Sequence, residues 1–68
     1  NTSNTLEVTS KKKIEVIEKS EYLVNSLNDN ENNQFTYRLS FNDKNSLEEF
    51  KSKLNNDQNI QKVNAVYN

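Results

Sequence analysis

Sixty-eight residues allow one domain at most. With 31% hydrophobic residues, no Cys and a mean hydropathy of -1.10, the chain has little core material and no disulfide or thiolate-bound metal to staple it. A formal charge of -1, with both signs interspersed, favours neither nucleic acid nor an anionic membrane as a partner, and no stretch is apolar for long enough to insert in a bilayer.

Residues 1–4 (NTSN) read as a frayed N-terminal end, and the sequon-like NTS at 1–3 is weak evidence for glycosylation there. "TLEVT" (5–9) puts Leu6 and Val8 on one side of a short strand. In "KKKIEVIEKSEYLVNSLN" the residues Val16, Ile17, Leu23, Val24 and Leu27 share one half of a helical wheel, with Ile14 at its margin. A helix with Ser10 as N-cap is the favoured reading. The three lysines at its start oppose the helix dipole, so "KIEVIE" as a strand with "EYLVN" returning beside it stays open. "QFTYRLSF" (34–41) alternates Phe35, Tyr37, Leu39 and Phe41 with polar residues and predicts a strand. "NSLEEFKSKL" (45–54) predicts a helix. Ser46 and Glu49 form a capping box, Glu49 and Lys53 pair at i, i+4, and Leu47, Phe50 and Leu54 make the buried stripe. "NIQKVNAVY" (59–67) closes as a strand with Val63, Ala65 and Tyr67 on one parity.

The order is β-α-β-α-β, with room for a further strand around 27–37. Two helices on one face of a small antiparallel sheet is the economical arrangement: an α+β, ferredoxin-like sandwich over residues 5–63, followed by an extended C-terminal tail at 64–68. Gly and Pro are absent while Asn is abundant. The clusters "NDNENN", "NDKN" and "NNDQN" therefore read as the turns, because Asn tolerates the left-handed backbone region better than other non-Gly residues. With no Met in the chain, Asn1 is not a translation start, and a matured, released or trimmed segment is expected.

The chemistry available is narrow. Without His or Cys there is no usual general base, no Ser-His-Asp or Cys-His arrangement and no ordinary zinc site. Without Gly there is no phosphate loop and no dinucleotide fingerprint. The carboxylate pairs Glu48/Glu49 and Glu15/Glu18 read as solvated helix faces, since nothing apolar surrounds them to raise a pKa. The loop at 28–33 lacks the Gly and the twelfth-position Glu of a calcium loop. The alternating aromatics of 35–41 suit a core face better than a base-stacking platform, because only Arg38 supplies charge nearby and it lies on the other side. No enzyme activity of the chain alone, no cofactor and no metal are expected.

From residue 11 onward, the basic run "KKKIEVIEKS", the strand "FTYRLSF", the charged helix "NDKNSLEEFKSKLNND" and the final "NIQKVNAVYN" follow one another in an order that resembles the propeptides of subtilisin-family serine proteases. The Asn- and Lys-rich composition is similar to members that process lantibiotic leaders in low-GC Gram-positive bacteria. The resemblance implies a four-stranded antiparallel sheet with two helices on one face. Its open face would pack on a cognate subtilisin-like protease domain that the segment helps to fold and, after self-cleavage, inhibits. It further implies a secreted or cell-surface setting. By position, Asn68 would occupy the primary specificity pocket, Tyr67, Val66 and Ala65 the next three subsites, and Asn64 would lead in. An extended, uncharged peptide suits a groove that adds it as a strand. In this family acidic residues often stand just before the tail, where this chain has Gln61, Lys62 and Asn64.

The same fold also suits a small ligand-binding domain of the ACT type or an extracytoplasmic module of a bacterial permease. "TSKKK" stands where ACT-type sites usually carry a Gly-containing loop.

Overall fold

A computed structural model describes residues 4–67. The elements run β1 (Asn4–Ser10), α1 (Glu15–Glu18), β2 (Leu23–Asp29), β3 (Gln34–Phe41), α2 (Lys44–Leu54) and β4 (Ile60–Val66). The four strands form one antiparallel sheet in the order β2-β3-β1-β4, so the chain is α+β with the ferredoxin-like arrangement expected of it. Among the described residues no helix is long and apolar enough to cross a membrane.

Period-two alternation builds the core. Leu6 and Val8 of β1 and Phe35, Tyr37, Leu39 and Phe41 of β3 all point to the helix side and are buried. Leu47, Phe50 and Leu54 of α2, together with Ile14 and Ile17, complete one cluster, and Val63 and Ala65 of β4 pack at its margin. Tyr22, Phe41 and Phe50 form an aromatic corner with ring centroids 4.5, 5.7 and 6.0 Å apart, the separations at which edge and tilted contacts are favourable. Both helices therefore share one face of the sheet, and the other face carries none.

The region between β1 and β3 departs from the sequence reading. The expected long helix is a single turn, Glu15–Glu18, and Leu23–Asp29 is an edge strand. Ser10, expected as the helix cap, is a buried strand residue, and Ile14 occupies the N-cap with no side-chain bond. The physical reason lies beyond Glu18. There Ser20 accepts a hydrogen bond from the Tyr22 N–H (3.0 Å) and closes a turn, and Val, Asn, Ser and Asp in "LVNSLND" are poor helix formers that a strand accommodates. A bulge between Leu23 and Asn25 leaves Val24 62% exposed, and Leu27 is 65% exposed. The apolar residues that mimic a helical stripe thus end on an exposed edge.

What α1 lacks in length is supplied by Tyr37. Its ring is fully buried, its oxygen accepts from the Ile14 N–H (3.1 Å), and its hydroxyl donates to Glu18 Oε2 (2.8 Å). One side chain of the central sheet thereby holds both ends of the helical turn.

Asn4, expected in the frayed end, opens β1 opposite Phe41 and is buried. The cap of α2 is Asp43, which accepts from the Ser46 N–H at 2.7 Å, so Ser46 is capped rather than capping. The Asn-rich stretch between β2 and β3 is a turn as expected. Asn33 there has a φ of 51°, and Asp29 accepts from both the backbone and the side chain of Asn32.

Candidate functional site

The helix-free face of the sheet is a grid of mostly polar and charged side chains set by strand register. Thr9 stands between Thr36 and Lys62, Glu7 between Arg38 and Asn64, and Thr5 between Ser40 and Val66. On β2, Asn25 lies opposite Arg38 and Leu27 opposite Thr36. The Arg38 guanidinium and the Glu7 carboxylate are 3.7 Å apart and half exposed, so they order the middle of the face more than they stabilise it. Beside them Asn25, Leu27 and Thr36 help line a shallow depression of about 210 Å3. Leu27 and Val66 are exposed apolar corners of this otherwise mostly polar face.

The residues expected to form a tail divide into two groups. Asn64, Ala65 and Val66 belong to β4 and pair with Glu7, Leu6 and Thr5 of β1, so they are extended but held by the chain's own sheet. Ala65 packs on the core, whereas Val66 is 52% exposed on the open face. The boundary expected at residue 64 therefore falls after Val66. Asn68 lies outside the described residues.

Tyr67 is the first residue past the strand, and its side chain turns onto α2. Its hydroxyl donates to Glu48 Oε2, and Lys44 Nζ sits 5.4 Å from the ring centroid. Lys44 and Glu48 are four residues apart on the first turns of α2, so they stand on one side of the helix and clasp the ring between them. The hydrogen bond to Glu48 and that residue's negative charge hold the Tyr67 phenol above its ordinary 10.0. This clasp was not legible in the sequence. Glu48 reads there as half of a solvated carboxylate pair, and a contact across 19 positions leaves no local signal.

β4 and β2 are the two edges of the sheet. β4 carries Lys62, a charge of the kind that discourages strand addition, while its final residues carry none. Among the described residues, no group of three or more Asp or Glu is placed to hold a metal ion. Neither a protein-family model, nor a curated protein, nor a solved structure matches the chain.

Proposed function

We propose that the chain is the inhibitory and fold-assisting pro-segment of a subtilisin-like serine protease. The observation that carries this reading is the division of the sheet. The helices cover one face, the other is open to solvent, and the edge strand β4 runs, with no charged side chain after Lys62, to the margin of that open face. The open face would dock on the protease surface, and the residues after β4 would enter the substrate groove as an added strand.

Asn68 and Tyr67 would fill the first two subsites without disturbing the sheet. Val66 and Ala65 reach theirs only if they leave Thr5 and Leu6, whereas Asn64 keeps its place against Glu7. Tyr67 must also leave Glu48 and Lys44 before its ring can turn into a subsite. The body of the chain is the platform, and its last strand is the part that yields.

The test is inhibition of the cognate protease by the isolated chain. Removal of residues 67 and 68 alone spares every pair of β4, so the circular dichroism spectrum should persist while inhibition falls by about a hundredfold or more, the equivalent of two anchoring side chains. Undiminished inhibition after that trimming would refute the tail assignment. No inhibition by the folded, untrimmed chain would refute the function.

A further inference from the structure

At the end of the sheet opposite Tyr67, three connections meet: the β1–α1 loop, the β2–β3 turn and the entry to β4. They border an open cleft of about 540 Å3 lined by Lys11, Lys12, Asn32, Asn33, Asn59 and Gln61. That volume lies in the range of small-molecule sites. The lining is two lysines, three asparagines and one glutamine, with no acidic and no aromatic residue among them.

Two irregular features of the backbone lie here. Asn33 is the one positive-φ residue among those described. Gln61 is the extra residue where the β1–β4 register shifts between Thr9 and Ser10, a bulge of the kind that re-aims a side chain. Each wall is also tied in place. The buried Ser10 hydroxyl donates to the Lys12 carbonyl (2.6 Å), and the Lys11 N–H donates to the Asn59 carbonyl (2.9 Å). Of the nearby acids, Asp57 accepts from the Asn59 N–H (2.9 Å) and Asp29 from the N–H and the amide of Asn32 (3.3 and 2.8 Å), while Glu31 stands exposed in the β2–β3 turn beside Asn32. The backbone of the cleft is therefore held by its own hydrogen bonds, and Lys11 and Lys12 are the charged residues that line it.

We propose that this cleft binds a phosphorylated sugar. Lys11 and Lys12 supply the paired point charges that suit a phosphate. Carboxamides offer donor and acceptor together, which matches the hydroxyls of a polyol. The absence of an aromatic ring leaves a nucleobase nothing to stack on, which disfavours a nucleotide. This site is independent of the pro-segment reading and stands or falls without it.

The experiment is a titration of the isotope-labelled chain with the phosphate monoester of glucose, followed by backbone amide resonances. Inorganic phosphate and glucose serve as separate arms, and all titrations are run at low salt. Saturable shifts are expected at residues 11, 12, 32, 33, 59 and 61. The paired change Lys11→Gln with Lys12→Gln should weaken binding by about tenfold or more, as lost charge-assisted contacts do. The pair Lys51→Gln with Lys53→Gln, on α2, should leave it unchanged. Gln61→Ala should weaken the sugar phosphate and spare inorganic phosphate. The site is disproved by shifts that never saturate, or by equal binding to the Lys11/Lys12 variant in a chain whose resonance dispersion shows that it is folded. Inorganic phosphate binding as tightly as the ester would overturn the sugar.

Discussion

Replacing Tyr37 by Phe removes one oxygen and nothing else from the buried ring. That oxygen is the acceptor for the Ile14 N–H and the donor to Glu18. Ile14 is itself 4% exposed, so its N–H has no water to turn to, and an orphaned buried donor costs about 1–3 kcal/mol. Glu18 is exposed and rehydrates, adding little. The Ile14 carbonyl also accepts the first bonds of α1, from Ile17 and Glu18, so the single turn is anchored at this residue. A central value of about 2 kcal/mol is a large share of the roughly 3–5 kcal/mol that a core of this size supplies. In thermal unfolding it should lower the midpoint by about 8–16 °C. Urea titration should show a lower midpoint with an unchanged slope. Glu18→Ala should cost far less, and Tyr37→Phe should cost the same in that background. A Tyr37→Phe change within about 0.5 kcal/mol of the parent, the range of ordinary surface substitutions, would refute the claim that this hydroxyl holds the helical turn.

Burial holds the Tyr37 phenol above its ordinary 10.0. The unfolded chain therefore loses that proton first as pH rises, so stability is full below about pH 10 and falls above it. Tyr37→Phe should flatten that alkaline decline in a pH series of urea midpoints. At the acid end, the Ser46 N–H and side chain hold Asp43 below its ordinary 3.8. Its capping contribution is present above that pH and lost as pH falls through the lowered value, so Asp43→Ala should destabilise at neutral pH and have no effect in strong acid. Glu48→Ala should bring the Tyr67 phenol back towards 10, read by ultraviolet titration, with the fold intact. Leu27→Lys should leave the urea midpoint unchanged, since the side chain it replaces is exposed on the helix-free face.

How far the sequence discloses this molecule depends on whether each segment's periodicity comes from its own burial. β3 and α2 were legible because Phe35, Tyr37, Leu39 and Phe41, and Leu47, Phe50 and Leu54, are buried in the sheet and helix rhythms they display. β2 was legible only as the alternative strand through "EYLVN" and the room for a strand around 27–37, because Val24 and Leu27 owe their helical spacing to no core. A bulge and an edge position place them outside, where helical spacing is coincidence. The extended form of residues 64–66 was legible, but their pairing with β1 was not, since a partner strand some sixty positions away leaves no mark on local pattern. The cleft at Lys11 and Lys12 was hidden for the same reason. Its six residues come from three separate stretches of the chain, one of them the start of β4, and each alone reads as ordinary polar sequence.

Thr5 stands opposite Val66 in neighbouring strands, so the two ends of the folded unit emerge within about 5 Å of each other. A unit that enters and leaves at one point can be spliced into a surface loop of an unrelated host without stretching either. By the same geometry a short linker can join the ends while new termini are opened at Asn30–Asn33, giving a circular permutant that keeps all four strands. Such a permutant would move the points of attachment to the opposite end of the sheet while the platform itself is left unaltered.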